Sequence, residues 1–62
     1  MNKKMIEKIV EAHDLAVAHW SVALTSKERE QYNTEAATYE KILDMADVSY
    51  ERDELGFIHL TK

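Results

Sequence analysis

The chain has no cysteine and no proline, and its 62 residues include a single glycine, Gly56. Without cysteine there can be no disulfide and no thiolate metal site, and that lack suits a reducing, intracellular setting. Without proline, and with glycine confined to position 56, nothing earlier in the chain forbids helix. One glycine also cannot build a glycine-rich phosphate loop or a Gly-x-Ser-x-Gly nucleophile turn. Long apolar runs are missing as well. The longest, Leu15 to Leu24, is too short to span a bilayer and contains His19 and Ser21. Lys3 and Lys4 are followed by Glu7, Lys8, Glu11, His13 and Asp14, which is not the pattern of a signal peptide. With three acids and no arginine in the first 20 residues, it is not a transit peptide either. The expectation is a cytoplasmic chain without a membrane segment.

A chain this short buries at most about 60% of its unfolded surface, so its core is marginal. With disulfides excluded, a metal or a partner chain is the usual supplement. Charge is unevenly distributed within the net −4. Residues 1–27 carry four lysines against three acids, whereas residues 28–54 carry nine acids against three bases. Such an acidic second half repels phosphate, which argues against direct nucleic-acid binding. Lys3, Lys4 and Lys8 make only a thin basic patch.

What is present is helical periodicity. Ile6, Val10, His13, Val17, Trp20 and Leu24 recur at helical spacing in the first half, and Tyr32, Ala36, Tyr39, Leu43, Ala46 and Tyr50 do so in the second. Between them "TSKEREQ" passes without an apolar side chain, and Thr25 with Glu28 three residues on matches a capping box. The pattern predicts helix 1 over about 3–24, a turn at about 25–27, helix 2 over about 27–54 and a tail over 55–62. A reversal centred near residue 26 sets Trp20 near Tyr32, Val17 near Ala36, His13 near Tyr39, Val10 near Leu43 and Ile6 near Ala46. Gly56 then serves as the cap that ends helix 2, with Phe57 folding back on its last turn.

The expected fold is therefore all-α: a two-helix antiparallel hairpin with a short C-terminal tail. Leu15 to Leu24 is apolar around much of its circumference, so one partner helix leaves Leu15 and Val22 wet. This predicts a homodimer, two hairpins forming a four-helix bundle. The core and dimer residues are Ile6, Val10, Leu15, Val17, Trp20, Leu24, Tyr32, Tyr39 and Leu43. The tail residues Phe57, Ile58 and Leu60 are apolar enough to pack on the hairpin.

Catalytic and metal chemistry find little support. His13 and His19 point to different sides of a helix, and neither has glutamate three residues before it, where Val10 and Ala16 stand. His13 is expected to be half-buried and hydrogen-bonded to a group such as Tyr39. No catalytic residue, metal site or cofactor is expected, and the chain does not read as an enzyme. The remaining feature is an acidic row. On a continuous helix, Glu40, Asp44, Asp47, Glu51 and Glu54 form one ridge whose like charges repel by a few tenths of a kcal/mol per pair. A basic surface on a partner protein would relieve that repulsion, with Tyr50 and Phe57 as apolar anchors. The chain thus reads as a small acidic regulator or inhibitor acting by protein contact, by partial mimicry of a nucleic acid in the extreme form. The alternative is a structural self-assembly module whose acids only solvate it.

Overall fold

The computed structural model describes residues 1–61; position 62, the last of the expected tail, lies outside the described residues. Helix α1 spans Lys3–Val22 and helix α2 spans Ser26–Met45, and the two pack against each other as a hairpin. Strands β1 (Tyr50–Arg52) and β2 (Ile58–Leu60) follow as an antiparallel pair, with Tyr50 opposite Leu60, Glu51 opposite His59 and Arg52 opposite Ile58.

The helix ends follow from local chemistry. Asn2 caps α1, its side-chain oxygen accepting from the Met5 N–H at 2.8 Å. Thr25 caps α2 by accepting from the Glu28 N–H at 3.1 Å, and the Glu28 carboxylate reaches back to the Leu24 N–H at 3.1 Å. The expected capping box is therefore present, with its return bond made one residue earlier than the usual one.

Helix 2 does not run to residue 54 as expected. It ends at Met45, and Asp47 adopts a left-handed backbone with φ 59°. The Val48 N–H donates to the Leu43 carbonyl at 3.0 Å and the Asp47 N–H to the Asp44 carbonyl at 3.1 Å. These are the two bonds of a Schellman stop, with aspartate where glycine is commonest and the Val48 and Leu43 side chains as its usual apolar pair. Gly56 is consequently no helix cap. The Gly56 N–H donates to the Asp53 carbonyl at 3.0 Å, which closes a turn between the strands, and its φ of 95° suits a residue without a Cβ. Asp53 fixes the same turn, its Oδ1 accepting from the Leu55 N–H at 2.9 Å and the Phe57 N–H at 3.0 Å.

The expected all-α chain with a tail is thus a helical hairpin carrying a small β-hairpin. Buried side chains come from three of the four elements: His13 and Ala16 from α1, Ala36 and Leu43 from α2, and Ile58 from β2. Burying Leu43 completely stabilises the fold by about 1.5–3 kcal/mol. Of the expected core, Ile6, Val10, Val17, Tyr32 and Tyr39 are half-buried. Leu15, Trp20 and Leu24 are exposed in the single chain, Leu24 because α1 stops at Val22 and leaves it in the connection. Trp20 and Tyr32 line one groove, as the reversal requires. Their ring partners differ from the expected pair, since Tyr32 meets His19 edge-on at 5.1 Å and Arg29 lies over Trp20 at 5.5 Å. Among the described residues no helix is long and apolar enough to cross a membrane.

Candidate functional site

Two polar features emerge from this fold, one buried and one open. The buried one centres on His13, whose side chain is 0% exposed. Its Nδ1 lies 2.9 Å from Asp14 Oδ1 and its Nε2 lies 2.8 Å from Glu40 Oε2. Carboxylate oxygens only accept, so both bonds exist together when both ring nitrogens carry protons. The partner expected for His13 was Tyr39; the structure supplies Glu40, the next residue along α2. Glu40 uses its other oxygen to accept from the Arg52 guanidinium at 2.9 Å, and Asp14 Oδ1 also accepts from the Ile58 N–H at 3.0 Å. Each helix thus holds one strand. α1 grips β2 through Asp14, α2 grips β1 through Glu40, and His13 joins the two carboxylates.

The open feature is a shallow depression of about 780 Å³ lined by Asp44, Val48, Ser49, Tyr50, Glu51, Arg52 and Thr61. The last turn of α2 supplies Asp44, and the Schellman stop turns the chain so that β1 returns beside it. The Tyr50 hydroxyl donates to Asp44 Oδ1 at 2.8 Å. Burial, and then the hydrogen bond and charge of Asp44, push that hydroxyl above the ordinary tyrosine value. Among the described residues the only base in the lining, Arg52, is turned toward Glu40. The Thr61 N–H donates to the Ser49 carbonyl at 3.1 Å and the Asp53 N–H to the Phe57 carbonyl at 3.0 Å, so the backbone groups facing β2 belong to Glu51 of β1 and to Ser49 and Asp53 on either side of it. The backbone groups of Tyr50 and Arg52 accordingly point away from β2, along the free edge of β1.

The acidic row is therefore not a single helical ridge. Asp44, Tyr50 and Glu51 come together at the depression. Glu40 is withdrawn into the buried cluster, and Asp47 lines a neighbouring hollow that also contains Lys3. Glu54 and Phe57 sit in the β-turn region and do not line the depression, and there Asp53 rather than Glu54 makes the structural bonds. The His59 ring, 2.8 Å from Asp53 Oδ2, holds the Asp53 carboxyl below its ordinary value, helped by the Phe57 and Leu55 amides. Sequence reasoning missed the joint role of Asp14, Glu40 and Arg52. The available signal was a histidine on an apolar seam with carboxylates beside it and opposite it, a pattern that calls for charged partners in the core.

Among the described residues no group of three or more histidine, aspartate or glutamate side chains is placed to hold a metal ion. Compared with known proteins, the chain matches no family model, no curated protein and no solved structure.

Proposed function

We propose that the chain is a small acidic interaction protein that binds a basic surface of a partner protein and acts by occupying it rather than by chemistry. The observation that carries this reading is the placement of Asp44 and Glu51 around one open depression at the C-terminal end of α2. A helix C-terminus carries partial negative charge, so stability alone favours lysine or arginine there, by about 0.3–1 kcal/mol. This chain has no base in the last turn of α2 and has Asp44 there instead, followed by Asp47. A basic group arriving from outside would relieve that repulsion, and the field would speed its encounter. Tyr50 offers an aromatic wall and the free edge of β1 offers unpaired backbone groups, both common in recognition surfaces. The acidity of residues 28–54 supports a protein partner over nucleic acid, and the lack of cysteine supports a reducing compartment.

The double variant Asp44→Lys with Glu51→Lys tests this. Both positions are exposed, and lysine at 44 suits the helix end, so the far-ultraviolet circular dichroism should be retained. Proteins retained by the unmodified chain from source-cell lysate, identified by mass spectrometry, should be lost with the variant and at raised salt. Retention that ignores both changes would refute the reading.

The second reading, a self-assembly module, is favoured by exposed Leu15, Val22 and Met5 on α1. The homodimer belongs with it as a proposal.

A further inference from the structure

The side of α1 flanking its contact with α2 carries a regular pattern, one member of which, His19, also meets Tyr32 of α2 edge-on. Met5, Lys8, Ala12, Leu15, His19 and Val22 follow one another at spacings of three, four, three, four and three. That is the heptad rhythm of a helix pairing with another helix along a narrow seam. None of these residues belongs to the buried core: Met5 is 53%, Leu15 57% and Val22 71% exposed. At about 100° per residue, the seam lies roughly a quarter turn from the His13 and Ala16 face that meets α2.

We infer that this seam is the docking surface for α1 of a second copy, running antiparallel. The inference rests on the self-assembly reading, to which it gives a surface and a direction, and it survives failure of the acidic-surface reading. Area is the first support. A folded monomer of 7.2 kDa is expected to expose about 4100 Å², whereas this chain exposes 4833 Å². The excess of roughly 700 Å² is close to the ~800 Å² that each partner contributes to an interface of standard size.

Self-complementarity is the second support, and it also fixes direction. A two-fold axis between Ala12 and Leu15 sets Met5 against Val22, Ala12 against Leu15 and Lys8 against His19. Two of these three layers pair a longer side chain with a shorter one, so the seams interdigitate. The third is polar and specifies register, as a single polar layer does in coiled coils. A parallel pairing instead sets Lys8 against Lys8 and His19 against His19. Charge favours the antiparallel choice again. Lys3 and Lys4 occupy the first turn of α1, which has no acid to suit its own helix field. Antiparallel pairing brings them beside the partner's α1 C-terminus, where positive charge is favourable. Residues 1–27 hold four lysines against three acids, so two α1 faces meet with little repulsion while the acidic halves stay apart.

Size-exclusion chromatography coupled to light scattering tests the dimer across micromolar concentrations. The expected mass is twice 7.2 kDa. Leu15→Asp should raise the dimer dissociation constant at least about 100-fold, because both copies lose a central anchor, and give a single-chain mass. Its circular dichroism should not change, since Leu15 is already exposed in one chain. Direction is read by oxidation, because the chain has no cysteine of its own. A mixture of Met5→Cys and Val22→Cys chains should cross-link into a mixed dimer. Met5→Cys alone should not, since antiparallel pairing separates the two copies of that position by about 25 Å at 1.5 Å per residue. A single-chain mass for the unmodified protein, a Leu15→Asp variant that keeps the double mass, or self-linking of Met5→Cys would each overturn the inference.

Discussion

Removing Glu40 should unfold this protein far more readily than removing the arginine bonded to it. In Glu40→Ala the His13 Nε2, on a side chain 0% exposed, loses its only acceptor. A buried polar group left unpaired costs about 1–3 kcal/mol. Loss of the Arg52 bond adds about 0–1 kcal/mol, because that guanidinium is 57% exposed and screened by water. The total is about 1–4 kcal/mol against a global stability of about 3–9 kcal/mol for a chain this long. The thermal midpoint should then fall on the order of 5–30 °C. Arg52→Ala removes only the exposed bond and should cost under about 1 kcal/mol. Urea titrations followed at the helical dichroism band measure both variants. The double variant His13→Leu with Glu40→Leu should recover much of the loss, since replacing both partners by apolar groups leaves no orphan. Equal destabilisation by Glu40→Ala and Arg52→Ala, or a double variant worse than Glu40→Ala, would refute the claim that the buried histidine sets the cost.

Two further outcomes check the elements that frame the site. Asp47→Gly should stabilise the chain by up to about 1 kcal/mol in the same titration, because φ 59° strains a residue with a Cβ and suits glycine; a loss of stability would contradict the Schellman stop. Asp53 has a lowered folded value, so its contribution to stability is present above the ordinary 3.8 and is lost as pH falls through the lower folded value. Its carboxyl carbon, followed by nuclear magnetic resonance, should titrate below 3.8, and an inflection at or above that value would show that the His59 and amide bonds are not made in solution.

The helical hairpin was legible because two independent signals agreed. Seven residues without an apolar side chain interrupt both seams, and Thr25 with Glu28 places a helix start inside that gap. The β-hairpin was not legible by the same method. Ala46 and Tyr50 keep the three-and-four rhythm past the point where α2 ends, so periodicity alone extends the helix. A left-handed Asp47 breaks it, and aspartate gives a weaker stop signal than glycine. The cue lay further on. Asp53 and Gly56 occupy the first and fourth positions of a turn, between "YER" and "FIHL", runs rich in strand-forming side chains. Apolarity did identify the packing of Ile58, which is buried, whereas Leu60 from the same run stays 43% exposed. The acidic row was visible as composition but not as a surface, because its geometry depended on a helix that does not continue.

That difference decides which acids can face a partner. Glu40 begins the row in sequence, yet one of its oxygens meets the His13 ring and the other the Arg52 guanidinium, so its carboxylate is already engaged within the chain. Arg52 is thereby engaged with Glu40, and among the described residues the lining of the depression offers Asp44 and Glu51 no other base. The internal cluster therefore does two things at once, tying both strands to the helices and leaving the open surface negative. None of the residues lining that depression belongs to the apolar seam of α1. Pairing of two chains through α1 would consequently leave both acidic surfaces open, and a partner bearing two basic patches would gain avidity from the linked pair rather than from any new contact.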